Sequence, residues 1–483
     1  DDTEKSLEYI LATGREWQFG WYAQDRWQVG RKLTINYGLR YEFFPLMTRA
    51  GYGIESYDPS TNNVSMGGRG NVPENAGITV SHKLFAPRIG LAYRLGEKTV
   101  IRAGYGINFD PIPFSRPLRG WYPIVVNFAN TASGFGWAST FEQGVPNAVG
   151  PNVSTGVVPL PGNASERSPW GNAEIHRGYT ESYNFTVEHK LPMDLVTSVA
   201  YVGSHSVHIL ADRDINAGFP GSGTAGLPYA AAGRTTATNM WDGYLSSEYN
   251  SLQVAVNKSF SKGMMVKGAY TYSKAIDYTD DDGWVSTGWN WAPVFQRNRA
   301  TAGFDRRQVF QVGWVYELPF GKGKSMLKSG VGAAVLGNWQ VNGVMAAYTG
   351  TPFTVGAPGS SLNAPNNTQT ANQVNPVVNL IGNAGPGQFY YDPTAFAAVT
   401  TQNFGSSGRN ILRNPGLWNT DLDVTREFVF KERFKAQFRG EFFNFANTSH
   451  FGGVSTSVTS GTFMQITSAS GERQIRFGLR ATW

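Results

Sequence analysis

Apolar and polar side chains exchange places residue by residue in about thirteen separate stretches of this chain, and no other feature restricts its fold as strongly. Ile89, Leu91, Tyr93 and Leu95 alternate with Arg88, Gly90, Ala92 and Arg94. After Gly96-Glu97-Lys98 come Ile101, Ala103, Tyr105, Ile107 and Phe109, alternating with Arg102, Gly104, Gly106 and Asn108. Pairing centred on Glu97 brings both apolar rows to one face of a hairpin, and a slip of one residue would turn every side chain to the other face. A helix would space its apolar residues three and four apart instead. The chain is therefore read as all-β.

The stretches cover roughly 16–27, 33–44, 85–95, 100–109, 180–191, 195–203, 250–260, 264–275, 307–318, 338–349, 416–427, 433–445 and 473–483. Their connections alternate in length. Short ones (28–32, 96–99, 192–194, 261–263, 319–337, 428–432) take turns with long ones (45–84, 110–179, 204–249, 276–306, 350–415, 446–472) rich in Gly, Asn, Ser, Thr and Pro. A sandwich or propeller does not sort its connections in this way. An antiparallel transmembrane β-barrel does, with tight turns on the periplasmic rim and long extracellular loops on the other. Its strands need ~9–11 tilted residues to cross a bilayer. Residues 1–15 then form a leading segment or loop, and 16–483 the barrel portion.

In this reading the polar row lines a lumen and the apolar row faces lipid. Arg88, Arg94, Arg102, Asp421, Asp423, Lys435, Arg439 and Glu441 are expected to point inward, because an Arg on the lipid face at mid-bilayer costs about 2–4 kcal/mol. A turn centred near 430 would set Asp421 opposite Arg439. Such polar groups either contact a substrate or plug, or form a cross-strand charge ladder that satisfies itself. Trp17, Trp27 and Trp483 are candidates for the membrane interfaces, where aromatic rings concentrate; aromatics make up 14% of the chain.

Composition removes other classes. With no cysteine, neither a disulfide scaffold nor a Cys-based zinc site can form. No apolar run approaches the ~18–20 residues of a membrane-spanning helix. The net charge of +6 comes from dispersed basic residues, so no nucleic-acid patch is expected. Gly221-Ser222-Gly223-Thr224-Ala225-Gly226 matches GxGxxG but lacks the preceding strand and following helix that build a phosphate site. Gly321-Lys322-Gly323-Lys324-Ser325 resembles a P-loop, with Leu318 where the first glycine is required. Asp277, Asp280, Asp281 and Asp282 could hold a hard cation such as Ca²⁺, or form a solvated acidic loop. His205 and His208 are too few for a metal site, and Asp212 and Asp214 nearby fit loop-surface charges. No HExxH, GxSxG or nucleophile–base spacing occurs, so the expectation is a non-enzyme without cofactor. The first fourteen residues carry no secretory signal, which suggests a chain that begins inside a longer protein.

Several segments, in order, resemble the TonB-dependent receptors of the Gram-negative outer membrane, especially the Oar-like group. They include GWYAQDRWQVGRKLTINYGLRYEFFP (20–45), LFAPRIGLAYRL (84–95), AYVGSHSVHILADRDIN (200–216), FDRRQVFQVGWVYELPFGKGK (304–324), GNWQVNGVMAAYTGTPFTV (337–355), GRNILRNPGLWNTDLDVTREF (408–428), FKAQFRGEFFNFANTSHFG (434–452) and RQIRFGLRATW (473–483). The resemblance implies the C-terminal part of a 22-stranded barrel whose N-terminal strands, plug and TonB-binding segment lie outside this sequence. It implies outer-membrane lipid, TonB and the barrel-assembly machinery as partners, the last reading the terminal aromatic strand ending at Trp483. Thirteen strands alone would leave two open edges, and unpaired backbone groups in lipid cost several kcal/mol each. Three functions stay open: TonB-dependent uptake or export of a bulky substrate, a structural or binding platform, and a passive porin.

Overall fold

The structure, a computed structural model, describes residues 2–114, 116, 118, 121–131, 136, 139–144, 147, 149–280, 287–430 and 434–483. Thirteen long strands run as one antiparallel meander: β1 (Phe19–Val29), β2 (Leu33–Phe43), β3 (Leu84–Arg94), β4 (Thr99–Phe109), β5 (Tyr179–Leu191), β6 (Leu195–Asp214), β7 (Thr238–Ser261), β8 (Met264–Asp277), β9 (Gln308–Glu317), β10 (Trp339–Tyr348), β11 (Leu417–Phe430), β12 (Phe434–Phe443) and β13 (Gln474–Thr482). Each pairs with its neighbours in sequence. Among the described residues β1 and β13 do not pair with each other, so the sheet is open at these two edges. The expected strands are all present. Because the order is a simple meander, every short connection falls on one rim and every long one on the other.

The β3–β4 hairpin has the register its sequence implies, with Ile89 opposite Tyr105 and Arg94 opposite Val100. The β11–β12 hairpin departs from expectation. Thr425, not Asp421, stands opposite Arg439, and Asp423 stands opposite Glu441. The ladder centres on 432 rather than 430, which keeps every side chain on its face but changes its partner.

The largest departure is in β6 and β7, which extend far past the expected 195–203 and 250–260. Their ladder continues to Asp214 and Asn239, beyond what a bilayer crossing needs. It is interrupted where Val207 pairs with Ser246, Ile209 with Leu245 and Leu210 with Gly243, which leaves His208 and Tyr244 as extra residues. His208 adopts a left-handed φ of 55° there. Gly243 is required at the same place, because a Cβ would lie 2.8 Å from the carbonyl oxygens of His176 and His208.

The long connections are not irregular loops. They form a folded layer containing the chain's buried apolar clusters. One joins Phe353, Val355, Tyr391, Phe396, Met464 and Ile466. Another joins Met47, Ile54, Ile78, Ile112, Ile175 and Trp241. A third is built on Tyr57, Val64, Tyr122, Val158, Leu160 and Met240. The leading segment contributes a strand of its own, Asp2–Glu8, which pairs with Val125–Thr131 in the second long connection.

Candidate functional site

Paired residues in an antiparallel ladder share a face, so the register can be followed across the whole sheet. Arg88 lies opposite Gly106, and Arg102 opposite Ala92 and Thr186. The row continues through Ala200, Gln253 and Thr271 to Val309, and on through Tyr348 of β10. In β10 the same face carries Val344 and Asn342, opposite Asp421 and Asp423. Arg439, Glu441, Gln437 and Lys435 follow in β12. All eight sequence-selected residues, Arg88, Arg94, Arg102, Asp421, Asp423, Lys435, Arg439 and Glu441, therefore occupy one face of the thirteen-stranded sheet.

Several of these groups satisfy one another across or along strands. Arg88 Nη2 donates to Asn108 Oδ1 at 2.6 Å, and Arg102 Nη2 lies 3.2 Å from Glu188 Oε2. Asn342 Nδ2 donates to Asp423 Oδ2 at 3.3 Å. Asp421 Oδ1 accepts from Asn419 Nδ2 at 3.0 Å and from the Asn444 amide at 2.8 Å. Arg439 pairs with Glu441 at 3.4 Å and Lys435 with Glu427 at 3.3 Å. At the β1–β3 end the row holds Arg26, Arg40 and Arg88 beside Gly38 and Gly90, which leave a groove of about 920 Å³. A Cβ at Gly38 would sit 2.9 Å from the Ala23 carbonyl oxygen.

The other face is apolar and open. Leu252, Tyr272, Tyr201 and Phe185 are each about half exposed. Near the long-connection rim this face carries a run of ring contacts: Trp17 stacks with Phe19, Phe19 with Trp21 and Phe43, and Trp21 with Tyr41, while Tyr41 meets Phe85 in a tilted pair. Trp27 and Trp483 are also exposed. Among the described residues the folded layer covers chiefly the polar face, although His82 of the first long connection stacks on Phe43 of the apolar row. Glu42, Leu84, Ala86, Ser251 and Ser273 of the polar row are buried, whereas Phe85, Leu252 and Tyr272, each next in sequence to one of them, stay exposed.

Arginines join the folded layer to itself and to the strand ends, and sequence reading did not single them out. Arg409 lies 2.8 Å from both Asp277, which is buried, and Asp280, which is exposed, so these two carboxylates are ion-paired to one guanidinium. Asp281 and Asp282 lie outside the described residues. Among the described residues no cluster of three or more His, Asp or Glu could hold a metal. Arg413 pairs with Asp305, and Arg297 donates to the Gly405 and Ser407 carbonyls. Asp212 is buried between Arg116 and Arg167, and Asp214 is buried accepting the amides of Asn216 and Thr238, so neither is a loop-surface charge. Arg234 is fully buried and donates to the Pro161, Ala164 and Ala237 carbonyls and to Thr238. A guanidinium suits such places because its five donors form a rigid planar fork.

Two layer residues show what this burial does to charge. Burial lowers Arg177, which donates to the Phe44 carbonyl, to about 10, against the opposing pull of Glu16. Burial also pushes the Glu166 carboxyl well above the usual range, and the Glu55 carboxylate adds to the effect. The neighbouring Ser168 hydroxyl and Arg167 amide oppose that rise without cancelling it. His205 lies 3.9 Å from Glu181, and the His208 ring stacks on His176 at 5.3 Å. The GxGxxG glycines belong to the layer as well, Gly221 and Gly223 donating to the Leu362 and Asn363 carbonyls. Lys324 of the P-loop-like turn pairs with Glu317.

A family model described as an outer membrane beta barrel domain matches residues 3–476. No curated protein matches the chain. Among solved structures, the pyoverdine outer membrane receptor FpvA from Pseudomonas aeruginosa is 12% identical with a TM-score of 0.47, over 97% of this chain and 42% of that one. The FrpB iron transporter from Neisseria meningitidis is 10% identical with a TM-score of 0.43, over 98% and 46%. The siderophore receptor PiuA from Acinetobacter baumannii is 10% identical with a TM-score of 0.43, over 96% and 42%. The chain thus spans less than half the length of each.

Proposed function

The chain belongs to the outer membrane β-barrel domain family, and from that premise we propose that it is the C-terminal part of a TonB-dependent, Oar-like transporter barrel. Its polar row lines the lumen and its apolar row meets lipid. The observation that carries this reading is the one-sided cover: the folded layer buries the polar row at one rim and leaves most of the apolar row bare. A layer that closes chiefly over the polar face is placed to admit or hold a ligand above a polar passage. In this reading Arg26, Arg40, Arg88 and Arg102 form the basic side of the passage and contact substrate or plug, while the long connections face the cell exterior. Further strands, a plug and a TonB-binding segment complete the receptor, and the bulky substrate is taken up or exported through it.

Conductance across planar bilayers tests this on the full-length native protein. A plugged transporter stays closed until a denaturant displaces the plug, and its periplasmic segment binds the isolated C-terminal domain of TonB. Steady open conductance without denaturant would show a passive porin. A barrel that never conducts and never binds TonB would be a structural or binding platform.

A further inference from the structure

Among the described residues the one α-helix, α1 (Gly330–Leu336), lies in the β9–β10 connection on the short-turn rim. Its sequence, GVGAAVL, is entirely apolar or glycine, and none of its side chains is buried. Val331 is 81% exposed and Val335 57%. Met326 and Leu327, just before it, are also exposed. An isolated helix shorter than ~12–15 residues is marginal in water, and an amphipathic face normally gains its stability by being covered. Among the described residues none buries the side chains of this one.

What holds the helix is the apolar face of the wall. Trp339 Nε1 donates to the Val335 carbonyl at 2.9 Å, and Arg426 Nη1 donates to the same oxygen at 2.8 Å. Arg426 Nη2 donates to the Ala334 carbonyl. The guanidinium lies over the rings of Trp339 and Phe428 at 5.5 and 4.4 Å. Trp339 and Arg426 are paired in register, and the row continues through Phe438 to Leu479. The helix is therefore fixed on the outer side of the wall, at the short-turn end of the apolar row. The surrounding segment 318–337 contains Lys322, Lys324 and Lys328 and no acidic residue. Lys324 pairs with Glu317, while Lys322 and Lys328 are exposed.

We propose that this connection is a membrane-interfacial element that binds anionic phospholipid in the leaflet at the short-turn rim. The exposed apolar side chains of α1 sit at the acyl boundary, and Lys322 and Lys328 meet the headgroup phosphates. The occupant follows from two observations: the helix continues the apolar face of the wall, and within 318–337 the only charged side chains are basic. Apolar contact plus basic residues is the combination that seats a short element at an anionic surface. The inference rests on the reading of the apolar row as lipid-facing.

The test uses the full-length protein in phosphatidylcholine vesicles with and without phosphatidylglycerol. A fluorophore is placed at V335C or, as reference, at L252C in the middle of the apolar row; the chain adds no native cysteine. Acyl chains brominated near the headgroup should quench V335C, and brominated phosphatidylglycerol should do so about twofold better than brominated phosphatidylcholine. In K322Q/K328Q the two lipids should become equal. Quenching of L252C by mid-chain bromine without any quenching of V335C would overturn the inference and leave the lipid-facing row intact. Equal quenching of V335C by both lipids in the unsubstituted protein would overturn the anionic preference. Absence of quenching at both positions would overturn the lipid-facing row, and the inference with it.

Discussion

The wall and the folded layer solve opposite problems with the same chain. The wall keeps its large apolar side chains on one face, half exposed as at Leu252 and Tyr272, and most of its charge on the other, with Arg426 among the exceptions on the apolar row. The layer buries its apolar side chains as a soluble protein does, as at Val355, Met464 and Trp241, and buries charge with them. In the wall the surroundings supply the cover, so only the backbone ladder must be satisfied internally. In the layer each buried guanidinium needs acceptors from the chain itself, and Arg234 finds four of them. Side-chain chemistry is thus exacting in the layer and permissive in the wall, except for charge on the apolar row.

Substitutions can break this contrast or refine it. Asp212→Ala should have the largest effect, because it leaves Arg116 and Arg167 without their shared carboxylate inside the layer. Removing one partner of a buried pair costs about 3–5 kcal/mol. Protease sensitivity should rise in the layer while the heat-modifiable gel mobility of the folded wall is retained; loss of both together would mean the two regions are one cooperative unit. Leu252→Arg should cost about 2–4 kcal/mol in a bilayer, read from urea unfolding in vesicles. Gln253→Arg, one residue along and on the polar face, should cost under about 0.5 kcal/mol. Equal costs at the two positions would erase the distinction between the faces.

A smaller effect is expected from Glu166, whose folded-state pKa is raised by burial. The folded layer binds that proton more tightly than the unfolded chain does. Stability is therefore fullest below the ordinary carboxylate range and is lost as pH rises through the raised value. Proteinase K rates, referenced to an unstructured peptide, should show a better-protected layer at about pH 5 than at about pH 8, and Glu166→Gln should flatten that dependence. Arg88→Gln should be the mildest change. Its bond to Asn108 is an exposed cross-strand contact, and contacts of that kind are worth about 0–1 kcal/mol, measurable as a small shift in the urea midpoint.

Alternation made the wall legible. Local turns fix local registers, and the meander passes each register to the next strand, so eight residues chosen from separate segments fall on one face. The reading failed where alternation is interrupted. The far halves of β6 and β7 look irregular in sequence because His208 and Tyr244 are extra residues and because buried polar groups such as Asp212 replace the polar row. The Asp421–Arg439 pairing failed for a smaller reason: the β11–β12 turn centres two residues later than its sequence suggests. The layer was hidden almost entirely. Val355 and Met464 share one buried cluster, and Arg409 meets Asp277 132 positions away, groupings that no periodicity encodes.

The open edges have a consequence in parity. Strand direction alternates along the meander, so β1 and β13, both odd in order, run the same way, toward the short-turn rim. They cannot meet each other as an antiparallel pair. A second copy in the same orientation offers β1 or β13 pointing the same way again, so it cannot supply the missing neighbour either. Whatever completes this sheet by antiparallel pairing at both edges must contribute an odd number of strands. Nine meets that condition and brings thirteen to the even total of twenty-two; two or four does not.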